Sequence, residues 1–383
     1  MAFRIRLEVQ PFHDWSNEKM IEGEIDEKRP LKIGDIAKLA GVSISAVSAA
    51  LNNRPQISRA TRERVLGVVD KYHYVPQRSA RALSTRKSFQ IGFLISSKVT
   101  LGLANSYFSS ILSAIAEVCK RRDYHLVVTT YDLSMLNNFI IPVNIWQRNV
   151  DGLIAAGATD LTVIRKIQDT GTPFVIIGGD YPDDVLSLKS DSYSTLLKII
   201  AYLYRLGHRK LLVPYHYQDT MTVYQQALRT LKMDRRYHDL ELCLAFYSAV
   251  DEFIDGEIFA EGWLHQLEPP TALIANDQFC TGFLRHLLRH GKRCPDHISI
   301  VASDSALSRQ GIIPLTATDD LLYETGTTAA ENLLDLLEGR KSREEVRQAF
   351  LAFYRAGELI MRDSTGPVPG TSAGQRTAAV NED

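Results

Sequence analysis

The stretch DIAKLAGVSISAVSAALN, residues 35–52, decides how the start of this chain folds. Gly41 permits the left-handed backbone of a tight turn, and Ala37 and Ala40 let a second helix approach the first closely. Ser43 can cap that second helix by accepting a hydrogen bond from an exposed first-turn amide. The pattern predicts a helix-turn-helix, but an ordinary helical hairpin has the same local features, and the motif alone does not choose between them.

The flanking residues extend this motif to a three-helix unit. The spacing predicts helices over 33–40, 45–52 and 59–72, and Ser58 can cap the third. We expect their apolar positions to meet in one small core formed by Ile36, Leu39, Val42, Val47, Leu51, Val65 and Val69.

The charge of the chain is unevenly distributed. Of 44 basic and 45 acidic residues, eleven basic and three acidic ones fall within residues 31–88, which gives that segment a charge of +8 and leaves the remainder acidic. A cationic segment around a helix-turn-helix supplies phosphate contacts, so the sequence favours binding to a polyanion such as DNA.

A short linker follows the three helices. Pro76 suits the first turn of a helix in which Arg78, Ala80 and Leu83 follow. Small residues allow two such helices to pack closely, and a leucine can wedge between base steps from the minor groove. A plain surface linker helix is the alternative.

Beyond the linker, short apolar runs alternate with helical stretches. This alternation predicts right-handed crossovers and parallel sheets covered on both faces, with enough strands for two lobes. The predicted strands lie at 91–95, 125–130, 152–155, 174–177, 210–213, 272–274 and 299–302, and the clearest helices at 109–122, 195–206 and 281–290.

Several protein classes are disfavoured. No run reaches the about 18 apolar residues of a membrane span, and residues 1–6 do not resemble a secretory signal, so we expect a cytoplasmic protein. Phosphate-binding glycine loops and a nucleophile elbow are missing, so we expect neither an enzyme nor a cofactor. His286 and His290 have metal-ligand spacing, but without an H-E-x-x-H frame we interpret them as a solvated helix face, with no metal.

The ordered motifs resemble the LacI/GalR family of lactose-repressor-like transcriptional regulators, from about residue 31 to about residue 364. The matching positions are 36–43, Val47-Ser48, Leu51-Asn52, Pro55, Ser58, Thr61-Arg62, Val65, Tyr74, Pro76, Ala80-Arg81, Leu83, Ile91-Gly92, Asn105, Phe108, Val150, Gly152, Gly207-His208-Arg209, Pro270, Ala272, Asn276-Asp277, Gly282, Pro314, Thr316 and Gly326.

The resemblance implies a small all-α helix-turn-helix head-piece joined to an α/β two-lobed core like that of periplasmic binding proteins, with two parallel sheets flanked by helices. It also implies a homodimeric repressor that binds a pseudo-palindromic operator and responds to a small ligand such as a sugar. We expect a disordered tail at 1–30, the DNA-binding domain at 31–75, a hinge at 76–88, the core at 89–363 and a disordered tail at 364–383.

For DNA, the resemblance implies that Ile44, Ser45 and Ala49 face base edges while Ser43, Ser48 and Asn52 contact phosphates. The family usually has an arginine where this chain has Ala49. Because a methyl group can meet thymine but cannot pair with guanine, we expect weaker direct readout. Lys32 replaces a common capping threonine, so we expect that helix end to fray.

For the effector, the resemblance implies cleft contacts from Ser96, Asn105, Phe108, Asp191, Asn276 and Asp304. Asn276 and Asp191 also have a simpler interpretation as caps of the helices that follow them. Thr220 stands where the family has a ligand-binding arginine, and the usual glycine is Val223, so the ligand class differs or no ligand is bound. A ligand-binding module that does not bind DNA is the remaining alternative.

Overall fold

The structure, a computed structural model, describes residues 31–51, 55–74, 87–96, 103, 105–131, 133, 139–157, 159–216, 218–248 and 251–368. The chain separates into two compact units, Met1–Arg86 and Lys87–Asp383. Asn52, the linker residues Arg78, Ala80 and Leu83, and the side chains of Ser96 and Thr220 lie outside the described part, as does the tail predicted at 1–30.

The first unit contains the three predicted helices, α1 (Ile33–Ala40), α2 (Ile44–Leu51) and α3 (Arg59–Lys71), each within one residue of its expected ends. Gly41 adopts the left-handed conformation at φ 61°. Ser43 Oγ accepts from the Ala46 N–H at 3.2 Å, and Ser58 Oγ accepts from the Thr61 N–H at 3.1 Å. Both predicted caps are therefore confirmed.

The start of α1 has no side-chain cap from Lys32, as its sequence indicated. The Asp35 carboxylate instead accepts from the Lys32 N–H at 2.8 Å. This is one of the two hydrogen bonds of a capping box, and it stabilises the first turn of α1.

The core of the first unit differs from the prediction at one position. Leu39 is partly exposed and is not part of the apolar cluster, whereas three alanines of α1 and α2 are. The buried members are Ile36, Ala37, Ala40, Val47, Ala50, Val65 and Tyr74.

The second unit begins with a sheet whose described strands are β1 (Gln90–Ser96), β2 (His125–Tyr131), β3 (Gly152–Ala156), β4 (Phe174–Ile177) and β5 (Ser187–Leu188). They run in the order β2-β1-β3-β4-β5 and pair in parallel, with Ile91 aligned to Leu126 and to Gly152. The helices between them are α4 (Ser106–Arg121), α5 (Val143–Trp146) and α6 (Leu161–Asp169).

A second sheet follows. Its described strands are β6 (Lys210–Tyr215), β7 (Glu241–Phe246), β8 (Ala272–Ile274), β9 (Ser299–Ser303), β10 (Thr316–Thr318) and β11 (Leu359–Ile360). Their order is β11-β10-β9-β8-β6-β7, with β11 antiparallel to β10 and the other pairs parallel. The associated helices are α7 (Ser192–Arg205), α8 (Gln218–Lys232), α9 (Glu252–Leu264), α10 (Asp277–Arg289) and α11 (Ala306–Gln310), with a 3₁₀ turn at Arg235–Tyr237.

Two late helices, α12 (Leu322–Leu337) and α13 (Arg343–Phe353), return to the first sheet. Leu333 and Phe350 belong to the same buried cluster as Ile154 of β3. The chain therefore crosses between the lobes three times, at 189–191, 319–321 and 354–358, which is the connectivity of a two-lobed unit that can bend at its crossings.

The three crossings are bonded to one another and to α7. The Asp191 N–H donates to the Arg355 carbonyl at 2.8 Å, and the Asp319 N–H donates to the Glu358 carbonyl at 2.9 Å. The Gly357 N–H donates to Thr195 Oγ1 at 2.8 Å. These bonds hold the crossings side by side as one hinge.

The predicted start of a disordered tail at residue 364 is wrong for residues 364–368. Ser364 is fully buried, accepts from the Thr316 N–H at 2.7 Å and donates to the Ile300 carbonyl at 2.6 Å. The Val368 N–H donates to the Leu206 carbonyl at 3.0 Å. Composition predicted disorder, but hydrogen bonds to the backbone of the second sheet hold this segment in place.

The same region explains the motif Gly207-His208-Arg209. His208 is fully buried, with Nδ1 2.9 Å from Thr271 Oγ1 and Nε2 2.9 Å from Ser299 Oγ. Burial lowers the pKa of His208 to about 4, so the ring is neutral near pH 7. Nε2 also lies 3.0 Å from the Gly366 carbonyl oxygen, so the histidine connects the second sheet to the carboxyl-terminal segment.

Within the described residues, no single helix combines the length and apolar character of a membrane span. Only α1 and α2 taken together, across a bend of 101°, reach that threshold by length and composition.

Candidate functional sites

The first turn of α2 forms an exposed polar edge of the first unit. Ser43, Ile44 and Ser45 are all exposed, and Ile44 leaves 55% of its surface accessible. The Ser43 and Ser45 hydroxyls lie 2.8 Å apart, so the pair presents donors and acceptors beside the exposed amides of the turn. Ser48, one turn further on, is partly buried.

Ala49 does not share this exposure. It is only 5% exposed, so its methyl group offers little surface to a base edge. The expectation that Ala49 reads DNA alongside Ile44 and Ser45 is therefore corrected. A long arginine side chain could extend outward from this buried position, but a methyl group cannot.

The unit also presents basic side chains. Lys38, Arg64 and Lys71 are exposed, and Arg59, also exposed, pairs with Glu63 at 2.7 Å one helical turn away. The surplus of positive charge seen in the sequence is thus on the surface, where it can meet phosphates.

In the second unit, polar and aromatic residues follow neighbouring strands of the second sheet. Since the carboxyl ends of parallel strands share one edge, these residues line that edge. In sheet order they are Asp320 after β10, Asp304 after β9, Asn276 after β8, His216 after β6 and Tyr247 after β7. Asn276 Nδ2 donates to the Tyr247 hydroxyl at 3.2 Å, and the His216 and Tyr247 rings lie 5.0 Å apart.

The two lobes meet where two helices begin. Asn105 caps α4 by accepting from the Tyr107 N–H at 3.0 Å, and Asn276 caps α10 by accepting from the Phe279 N–H at 2.9 Å. Ser106, the first residue of α4, donates to Oδ1 of Asp277, the first residue of α10, at 3.0 Å. The buried Asp277 carboxylate thus lies between two positive helix ends, a favourable place for an anion.

Two predicted effector contacts are already engaged within the protein. Asp191 caps α7, accepting from the Ser194 N–H at 2.9 Å, and lies at the hinge. Burial raises the pKa of Asp191, but hydrogen bonds from Ser194 and Tyr354 outweigh it and leave the pKa below its usual value. The capping interpretation holds for both Asp191 and Asn276.

Asp304 is held by two arginines. Its Oδ2 pairs with Arg309 at 2.8 Å and its Oδ1 with Arg362 at 2.5 Å. With both carboxylate oxygens occupied, Asp304 is better placed to position Arg362 than to bind a ligand hydroxyl directly.

Phe108 is a core residue of the first lobe. It is 5% exposed and its ring packs against Gly157, so the predicted stacking face is largely covered. An aromatic residue near the start of a helix can either contact a ligand or pack in the core, and the sequence does not distinguish the two. Phe108 packs in the core.

Acidic side chains are buried at and beside this edge of the second sheet. Burial, with Asp277 and Asp255 nearby, raises the pKa of Glu252 to about 7. Burial likewise raises the pKa of Asp320 to about 6, against a hydrogen bond from Thr318. Burial also lowers the pKa of His216 and raises that of Tyr247. This side of the cleft disfavours a further negative charge.

Sequence reasoning missed several of these residues. Tyr247 follows β7, a strand that was not predicted, and Ser106 lies at a helix start that was placed three residues too late. Arg362 comes from the distant carboxyl-terminal segment, and no local pattern links it to Asp304.

A head of three helices with an exposed second helix, followed by a two-lobed unit with polar residues at one edge of its second sheet, is the arrangement expected of a ligand-responsive DNA-binding regulator. Residues 32–77 match the family of bacterial regulatory proteins, lacI family, and residues 200–365 match the periplasmic binding protein-like domain.

Known relatives agree along almost the whole chain. The transcriptional regulator AglR of Rhizobium meliloti is 28% identical over 369 residues, covering 90% of this chain and 96% of the relative. The probable transcriptional repressor ExuR of Bacillus subtilis is 25% identical over 345 residues, covering 87% and 97%. The crystal structure of the Lac repressor bound to ONPG in the repressed state matches with a TM-score of 0.70 at 22% identity, covering 88% of this chain and all of that one.

The chain therefore combines a DNA-binding head of the lacI family with a periplasmic binding protein-like domain, and relatives that match almost its whole length are transcriptional regulators. The family resemblance and the two-part fold predicted from the sequence are confirmed, and so is the expectation that the protein is a regulator rather than an enzyme.

Proposed function

We propose that this protein is a cytoplasmic, homodimeric repressor that binds a pseudo-palindromic operator and responds to a small neutral ligand held between its two lobes. The observation that carries the proposal is the exposed first turn of α2, with Ser43, Ile44 and Ser45 presented by a strongly basic unit.

The exposed turn suits the major groove. Ile44 offers an apolar side chain to a thymine methyl, and Ser45 offers a hydroxyl to a base edge. Ser43, Ser48 and Asn52 are the proposed phosphate contacts. Arg78, Ala80 and Leu83, in the linker after the three helices, are the proposed minor-groove contacts. We leave Ala49 out of the proposed reading set because it is buried.

An apolar stripe supports the homodimer. Ile254 and Ile258 are one turn apart on α9 and are 45% and 61% exposed. Adjacent exposed isoleucines are costly in water and are typical of a surface that another subunit covers. A twofold dimer would in turn favour an operator with twofold symmetry.

The cleft favours an uncharged, hydroxyl-rich ligand such as a sugar. Asp277 Oδ2 and Gln278 Oε1 are buried acceptors with no hydrogen-bond donor among the described residues, and hydroxyl groups supply donors. Arg309 and Arg362, which lie beside Asp304 at the sheet edge, are both paired with it. An acidic or phosphorylated ligand would therefore find negative charge rather than an open cation.

Regulation follows from lobe closure. The hinge crossings allow the lobes to move, and the Ser106 to Asp277 bond is one contact that such movement makes or breaks. A ligand that prefers one arrangement shifts the population towards it, and coupling of this kind is typically about 1 to 3 kcal/mol.

Selection of genomic fragments by the full-length protein, followed by gel shifts at two salt concentrations, tests DNA binding. The double variant Ile44→Ala/Ser45→Ala should lose preference for the selected fragment while retaining salt-dependent binding to random duplex. Leu66→Ala, which removes a side chain 42% exposed on α3, is the matched control and should bind normally. Equal binding of all duplexes by the unmodified protein would exclude a sequence-specific regulator.

Calorimetry against neutral sugars, nucleosides and sugar phosphates tests the ligand class separately. We expect heat from a neutral sugar and none from its phosphate. Preferential binding of the phosphate would contradict the proposed cleft chemistry without affecting the DNA result.

A further inference from the structure

Helices α9 and α10 are in unusually close contact because each has a glycine at the crossing. A Cβ on Gly282 would lie 1.9 Å from the Phe253 carbonyl oxygen, and one on Gly256 would lie 2.2 Å from the Phe279 carbonyl oxygen. No other residue type permits such an approach. The two backbones therefore touch, and side chains beyond the crossing are brought within reach of each other.

Three side chains converge at the far end of this crossing. His286 and His290 are one turn apart on α10, with rings stacked at 4.5 Å, and Glu261 of α9 lies opposite with Oε2 2.8 Å from His286 Nε2. One ligand atom from each of the three lies within 4.8 Å of the others. The acidic partner that the sequence lacked near the histidine pair thus comes from the neighbouring helix.

The ring of His290 is already oriented for coordination. Its Nδ1 lies 3.0 Å from the His286 carbonyl oxygen, which fixes the proton on Nδ1 and leaves the Nε2 lone pair as the ligand. Metal-binding histidines commonly donate their second ring nitrogen in this way.

The surrounding charges also favour a cation. Arg285 and Arg289, the basic residues on the same helix, are paired with Glu257 at 2.7 and 3.3 Å. A further histidine, His265, has Nδ1 3.6 Å from Glu261 Oε1 and adds imidazole to the neighbourhood.

We propose that Glu261, His286 and His290 form a binding site for a divalent transition metal, with zinc as the best match. Two imidazoles and one carboxylate are a ligand set that zinc takes in three-residue sites, with water completing the coordination. The site joins α9 to α10, so metal binding stabilises the second lobe by mass action.

Isothermal titration of the full-length protein with zinc chloride tests the site. We expect one zinc ion per chain to bind through this cluster and the midpoint of thermal unfolding to rise with zinc. His290→Ala and Glu261→Gln, both at exposed positions, should each weaken zinc binding by at least about tenfold, by analogy with the loss of supporting groups at known sites.

His238→Ala is the matched control. His238 is exposed and its Nδ1 also contacts a backbone carbonyl, that of Arg235, but it does not belong to the three-residue cluster. It should leave zinc binding unchanged. Undetectable zinc binding by the unmodified protein, zinc binding unaffected by both cluster variants, or equal affinity for magnesium would each overturn the proposal, the last two indicating an adventitious ion only.

Discussion

The head unit and the two-lobed unit use the same residue types in opposite settings. In the head, short polar side chains at the start of α2 are exposed, and Ser43 caps the helix while remaining on the surface. In the lobes, Asn276 and Asp277 also begin a helix, but one bonds to Tyr247 and the other, buried, to the opposite lobe. The head presents its chemistry outward, whereas the cleft has to be assembled from distant parts of the chain.

Because of this difference, we expect the two units to respond differently to amino-acid substitutions. The core residues of the head lie within about forty positions of one another in the sequence, so we expect substitutions there to act locally. The lobes depend on backbone contacts and on crossings far apart in sequence, so we expect larger and more distant effects.

The largest expected effect comes from Gly282→Ala. The new methyl would overlap the Phe253 carbonyl, so α9 and α10 must separate, and we expect a loss of about 3 kcal/mol in the free energy of unfolding. Urea unfolding measures it. Gly262→Ala on the same helix pair meets nothing within 4 Å and should not destabilise the protein. Equal stability of both variants would refute the close helix contact.

His208→Gln should change how stability depends on pH. Because the pKa of His208 is about 4 when folded and about 6.5 when unfolded, the unfolded state binds more protons between these values, and stability falls as pH drops below 6.5. Over that window the histidine accounts for about 3 kcal/mol.

The raised pKa values of Glu252 and Asp320 act in the opposite sense, since their folded forms keep protons that the unfolded forms release. Thermal unfolding from pH 7 to pH 4 should therefore show stability falling less steeply, or rising, in His208→Gln than in the unmodified protein. His238→Gln, at an exposed histidine, is the control, and parallel profiles for all three proteins would contradict the assignment.

Ser106→Ala removes the hydrogen bond between the lobes. A bond to a charged acceptor is worth about 1.5 to 3 kcal/mol, so the open arrangement should become more populated and the radius of gyration of ligand-free protein should increase. Ser113→Ala, whose hydroxyl bonds only within α4 at the Ser109 carbonyl, should scatter like the unmodified protein. Unchanged scattering of Ser106→Ala would show that this bond does not restrain the lobes.

Lys32→Thr should have the smallest effect. Threonine would supply the side-chain cap that α1 lacks and raise the stability of the head by about 1 kcal/mol. Lys32→Ala removes the same charge without adding a cap and separates the two contributions. If both variants gain equally, relief of charge repulsion rather than capping is the cause.

Much of the head could be predicted because its determinants are local. Gly41, Ser43 and Ser58 specify a turn and two caps within a few residues of where they act, and all three behave as expected. Ala49 was misjudged because exposure depends on how three helices pack, which residue type alone does not state.

The cleft was harder to predict. The helix start at Asn276 was found, but the one after Asn105 was placed three residues too late. β10 and β11 are strands of three and two residues, and the six-residue edge strand β7 was not recognised either, so their neighbours Asp320 and Tyr247 were missed. The pairing of Asp304 with Arg362 joins residues 58 positions apart, beyond the range of any periodic pattern.

The sequence by itself determined the three helices of the head, its basic charge, the alternation of strands and helices that follows and the resemblance to the family, because periodicity, caps and charge are recorded in neighbouring residues. Only the tertiary structure decided which side chains remain accessible to a partner. Ala49 and Phe108 are buried and Asp304 is paired with arginine. Glu261 contacts a histidine pair on the neighbouring helix because two glycines let the helices approach closely. The physical reason is that burial and pairing are properties of groups brought together in space, and the chain does not specify them one segment at a time.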